Sequence, residues 1–240
     1  MRLLIILLLI LKMNPLKADE INYLLKIPNL DVYKLNNVNG IKYLKAKENF
    51  KIGIYNNISC NKATIESLNK KFPLIKKNLE LYNYEFLKKI NLRFIVLCEN
   101  LYISEINTAG IPDNKKRTLI LDLNFNETYF ERVIHHEVFH MIHNSFEKIF
   151  DEGVWSKFNN KDFKYAKCST CSDRLGLDLY DMTNGFLTEY SKSIPSEDMA
   201  EVYSFLMTNK INIKNKIKKD SILSKKVKFI EHGINKIKNF

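Results

Sequence analysis

Residues 135–143 read His-His-Glu-Val-Phe-His-Met-Ile-His, and the spacing of these histidines limits what the rest of the chain can build. Ile134, Val138, Met141 and Ile142 recur at helical steps, so the segment reads as a helix with one apolar face. On that helix His136 and His140 stand about 40° apart around the axis and about 6 Å apart along it. Two imidazoles so placed supply half of a tetrahedral zinc site. Glu137 sits one step round, where its carboxylate can hold and deprotonate a water polarised by the metal instead of binding the metal itself. With 5 His and 16 Glu in 240 residues, a random H-E-x-x-H is expected only roughly 0.007 times, so coincidence does not account for it.

A zinc site needs a third protein ligand. The metzincin extension would place Gly and His where the chain has His143 and Phe146, so that source is excluded. The alternative is a glutamate on a second helix downstream, and Ser196-Glu197-Asp198-Met199-Ala200-Glu201 offers one. Ser193 or Ser196 is the expected cap of this helix, with Glu197 and Glu201 on one face. Glu197 is then the metal ligand, and Glu201 accepts a hydrogen bond from a ligand imidazole. His143 lies about 10 Å along the helix from His136 and reads as a neighbour of the site. His135 points about 100° away, toward a hydrogen bond in the core. Asp151 and Glu152 read as a surface turn, and Trp155 as a seat for the helix.

The order of these pieces resembles a known family. A strand, an Ala109-Gly110 loop, an edge strand, the H-H-E-x-x-H helix, then Tyr190 seven residues before Glu197-Asp198-x-Ala200-Glu201 look like the gluzincin metallopeptidases. The likeness is greatest to zinc-binding metallopeptidases of bacteria whose site is similar to the catalytic domain of anthrax lethal factor, and it spans roughly residues 50–207. It implies one zinc per chain on His136, His140 and Glu197, with Glu137 as general base and Tyr190 stabilising the oxyanion. It also implies a peptide or protein substrate. The phenol suits that role, because a hydrogen bond aimed at a developing oxyanion strengthens as charge accumulates. The chain departs from the pattern in its long connection carrying Cys168-x-x-Cys171, and it has no G-x-M-E-N aminopeptidase motif, so the substrate stays open.

Lys51–Tyr55, Leu92–Cys98 and Thr118–Asn124 read as strands, the last as the edge along which an extended peptide would lie. Residues 62–89 read as one or two helices interrupted at Pro73. The expected fold is α+β: a small mixed sheet with an edge strand beside the H-E-x-x-H helix, and a helical C-terminal half.

The net charge of +11 would ordinarily point to nucleic acid or an acidic membrane, but its location narrows it. Arg2, Lys12 and Lys17 carry three charges, and ten lysines against Asp220 and Glu231 put eight on residues 210–240, which leaves 19–209 neutral. Leu223, Val227, Ile230, Ile234 and Ile237 line one face of a basic C-terminal helix, read as docked on the body with its lysines in water. Membrane-surface contact through this helix is the alternative, and no nucleic-acid module is present. Residues 3–11 (LLIILLLIL) followed by Ala18 have the form of a signal peptide, which divides the chain into 1–18, a metallopeptidase domain at 19–209 and the helix at 210–240. The expected location is therefore secreted or periplasmic, where Cys60, Cys98, Cys168 and Cys171 can pair in three ways. A CxxC can also serve redox chemistry or half a zinc ribbon, but there is no second CxxC, and a local disulfide is the simpler reading. The rival to an enzyme is a surface or periplasmic binding protein that keeps the fold and does not cut.

Overall fold

The structure, a computed structural model, describes residue 27, residues 30–34 and residues 38–239. The expected signal segment lies outside the described residues. Among the described residues eight strands form one mixed sheet: β1 (Leu30–Lys34), β2 (Lys42–Ala46), β3 (Phe50–Ile52), β4 (Ile58–Asn61), β5 (Phe94–Ile103), β6 (Ile106–Asn107), β7 (Gly110–Asp113) and β8 (Thr118–Asp122). The first half of β5 lies between β2 and β8, parallel to both, while its second half pairs antiparallel with β4 and β6. Antiparallel β1 and β7 flank the parallel centre.

Alternation along β5 and β8 divides their side chains between two cores. Ile95, Leu97, Leu119 and Leu121 face the helices, whereas Val96, Cys98 and Ile120 face a smaller layer with Phe50, Ile52 and Cys60. A disulfide between Cys60 and Cys98 ties β4 to β5 inside that smaller layer, and Cys168 pairs with Cys171.

Among the described residues seven α-helices accompany the sheet: α1 (Ile65–Leu79), α2 (Tyr84–Lys89), α3 (Glu127–Ser145), α4 (Glu152–Ser156), α5 (Pro195–Thr208), α6 (Lys210–Lys216) and α7 (Ser221–Asn239). α3 is capped by Asn126, whose side chain accepts from Thr128 N–H at 2.9 Å. It lies against β7 and β8 on one side and α5 on the other, and so is buried on most of its circumference. α5 packs in turn on α7. Among the described residues no helix is long and apolar enough to cross a membrane.

Four expectations change. Thr118–Asp122 is not an edge, because β5 and β7 flank β8 and all five of its residues are buried. The edge beside α3 is β7, four residues that include Gly110 and Pro112. Pro73 does not interrupt α1, whose break falls after Leu79, with Asn83 capping α2 by accepting from Phe86 N–H at 2.8 Å. A proline inside a helix costs about 3 kcal/mol, and the burial of Leu68, Phe72, Ile75 and Leu79 along one face of α1 offsets it. Neither Ser193 nor Ser196 caps α5, because Ser193 Oγ donates to the Tyr190 carbonyl and the helix starts on Pro195 with no side-chain cap. Finally, the basic segment forms two helices, Lys210–Lys216 and Ser221–Asn239, and Lys226 is buried rather than solvated.

Candidate metal centre

The centre forms where α3 crosses the first turns of α5. His136 Nε2 lies 2.9 Å from Glu197 Oε2, His140 Nε2 lies 3.1 Å from the same oxygen, and the two imidazole nitrogens are 3.1 Å apart. A zinc with bonds of 2.0–2.2 Å holds tetrahedral ligands about 3.3–3.6 Å from one another, so small outward shifts would seat the ion. Among the described residues these three side chains form the group able to hold a metal.

The hydrogen bonds around His136 show why a cation belongs there. Its Nδ1 lies 2.9 Å from Glu201 Oε1, and an ionised carboxylate only accepts, so that nitrogen carries the hydrogen. In the neutral imidazole Nε2 is then left as a lone pair, directed at a second carboxylate and a second imidazole. His136 Nε2 and Glu197 Oε2 are then two acceptors facing each other, and they require a proton or a metal ion between them. Burial alone would lower the His136 pKa, but hydrogen bonds and charge from Glu197 and Glu201 outweigh it and lift it to about 10. Burial would likewise raise the Glu197 carboxyl, yet His140 and His136 hold it well below the ordinary range.

Glu201 is itself anchored. Arg132 Nη1 donates to both of its oxygens at 2.6 and 2.5 Å, and Thr188 Oγ1 donates at 2.8 Å. The guanidinium also reaches the Leu177 carbonyl at 2.9 Å and covers the Phe205 ring at 4.4 Å. Neither Arg132 nor Thr188 figures in the sequence analysis. Arg132 precedes His136 by four residues, and that spacing on one helix face was the available signal. Thr188 lies in the irregular connection and left no local signal.

Glu137 is buried against β7. A Cβ at Gly110 would come within 2.7 Å of Glu137 Cγ, so only glycine lets the edge strand approach this carboxylate. Burial raises the Glu137 carboxyl above its usual range, with the His136 and His140 charges opposing. Tyr190 sits in a short 3₁₀ turn, Tyr190–Lys192, and stacks on His136 with ring centroids 5.9 Å apart. Its phenol is raised far above 10 by burial and then by the charges of Glu197, Glu137 and Glu201. It therefore remains protonated and able to donate. All six residues singled out around the centre, His136, Glu137, His140, Tyr190, Glu197 and Glu201, thus meet in one place.

The long connection wraps this centre. The Tyr190 N–H donates to the Gly176 carbonyl at 3.0 Å, and Arg174 Nη1 donates to the Lys192 carbonyl at 2.6 Å. The other two histidines of α3 take other roles. His135 donates from Nε2 to Asn78 Oδ1 at 2.8 Å and accepts from the Tyr82 hydroxyl at 2.6 Å, while burial pushes its pKa down to about 4. His143 stacks on Phe139 and stands 3.8 Å from Glu152 Oε1, outside the donor triangle. Asp151 caps α4, accepting from Val154 N–H at 2.7 Å, and Trp155 is fully buried.

Two imidazoles on one helix and a carboxylate on the next, with a buried glutamate alongside, give this α+β protein a group that could hold a metal ion. The chain belongs to the family described as "Putative zinc-binding metallo-peptidase", whose model matches residues 17–239. That description makes peptides or proteins the substrate class. Among solved structures, the chain is similar to a putative zinc-binding metallo-peptidase from Bacteroides caccae ATCC 43185, with 20% identity and a TM-score of 0.44. The match covers 93% of this chain and 84% of that one. No curated protein matches.

Proposed function

We propose that the chain is a gluzincin-type, zinc-dependent peptidase in which His136, His140 and Glu197 hold one zinc. The observation that carries this reading is the convergence of three possible ligand atoms within 2.9–3.1 Å of one another, with the His136 tautomer set by Glu201. Bound there, zinc supplies Lewis acidity to a water and to the scissile carbonyl. Glu137 takes the proton from that water and passes it to the leaving amine. Its raised pKa brings the carboxylate nearer the working pH of a general acid–base group. Tyr190 donates its hydroxyl hydrogen to the carbonyl oxygen as negative charge collects on it. The outer side of β7 offers main-chain groups to an extended substrate beside Glu137, a mode of binding that demands little of the substrate's side chains.

Metal analysis of the purified chain tests the reading directly. One zinc per chain and loss of casein hydrolysis on chelation are expected; a chain that hydrolyses casein equally well without metal would refute it. Glu201 acts through His136, so Glu201→Gln should weaken zinc binding by about 10–100-fold in competition with a chromogenic chelator. Unchanged affinity would remove Glu201 from the site.

A further inference from the structure

The side chain of Lys226, on the C-terminal helix α7, is fully buried. Its ammonium lies 2.6 Å from Asp198 Oδ2 and 2.8 Å from the Gly185 carbonyl, over the Phe186 ring at 3.9 Å. Asp198 is also fully buried, and its Oδ2 accepts from Trp155 Nε1 at 2.8 Å and from the Tyr165 hydroxyl at 2.6 Å. A buried ion pair is poor value as a stabiliser, since apolar side chains of the same volume often do better, so its placement calls for another use.

That placement is informative. Asp198 directly follows Glu197 in the first turn of α5, and successive residues on a helix point about 100° apart. Glu197 faces the imidazoles of α3, while Asp198 faces α7. This turn has no side-chain cap, so the anchor on Asp198 restrains its rotation. The same ammonium holds the loop that leads to Thr188 and Tyr190. Gly185 is gripped from both sides, its carbonyl by Lys226 and its N–H by Asp220 Oδ2 at 2.6 Å. Asp220 also accepts from Thr183 Oγ1 at 2.6 Å and from Leu223 N–H at the start of α7.

We infer that Lys226 is a positioning residue of the metal centre, aligning Glu197 through Asp198 and Tyr190 through Gly185, so that the C-terminal helix is a working part of the site. This rests on the zinc reading above. Coupling between two places is reciprocal, so zinc must in turn steady α7. Hydrogen–deuterium exchange of the wild-type chain, with and without zinc, should show slower exchange in α3, in α5 and in residues 222–230. Slowing in α3 and α5 with 222–230 unchanged would overturn the inference and leave the zinc reading intact. No bound zinc and no slowing anywhere would overturn both. Lys226→Met, which keeps length and apolar contact, should lose about tenfold in zinc affinity by chelator competition, while the exposed Lys219→Met should not. If Lys226→Met does not fold, Lys226→Met with Asp198→Asn forms a neutral pair and is measured instead. Wild-type zinc affinity in either folded variant would overturn the inference.

Discussion

Glu137→Gln should lower peptide hydrolysis by about 10²–10⁴-fold while the chain still holds its zinc. Glutamine keeps the shape of glutamate, so the close approach of Gly110 to Glu137 Cγ is preserved. It also leaves untouched the triangle formed by His136, His140 and Glu197. What it removes is a group able to accept a proton from water and return it to the departing amine. The measurement is a steady-state rate on a cleavable peptide, with metal content assayed on the same preparation. A variant that retains full activity with zinc bound would refute the assignment of the base. A wild-type chain that binds zinc and cleaves nothing across a peptide library would favour the rival, a binding protein on a peptidase scaffold.

Removing zinc should have the second large effect, on stability. A ligand present a thousandfold above its Kd stabilises the folded state by about 4 kcal/mol, and in a chain of this length each kcal/mol moves the melting midpoint by about 2–4 °C. Chelation from that starting point should therefore lower the midpoint by roughly 8–16 °C. Glu197→Ala deletes the only carboxylate among the three donors, and the chelator-dependent shift should vanish with it. The pH dependence has a definite sign. In the metal-free chain His136 binds a proton up to about pH 10, so zinc must displace that proton, and apparent affinity should climb with pH through the neutral range. A midpoint indifferent to chelator in the wild type would mean that the centre binds no metal in solution.

The meeting of His136, His140 and Glu197 is legible in the sequence because it depends on local spacing. Two imidazoles four residues apart, and two carboxylates four residues apart, need only a helix to be brought to one face. The features that the structure corrects depend on tertiary position. Thr118–Asp122 carries Leu119, Ile120 and Leu121 in unbroken succession, the pattern of a strand covered on both faces and not of an edge. The real edge is only four residues long and contains a glycine and a proline, the composition of a loop. Lys226 reads as one of the solvated lysines because its neighbours in sequence are lysines, and its buried partner Asp198 is 28 residues away. Arg132 could have been found by continuing the face of His136 back one turn. Thr188 could not, since its place is set by the fold of the connection.

The edge strand also governs how these molecules meet one another. An unpaired strand edge invites a second copy to add itself, and natural sheets guard against this with short strands and prolines. The Asp122 N–H donates to the Ala109 carbonyl, so the alternation of an antiparallel pair turns Ile111 and Asp113 toward β8 and leaves Gly110 and Pro112 facing outward. Pro112 brings no N–H to that row, and the Gly110 carbonyl already accepts from Thr108 Oγ1 at 3.1 Å. Two copies laid edge to edge would lack rungs at both positions. A single peptide can still be held for a turnover there, while a growing stack of sheets finds no complete template.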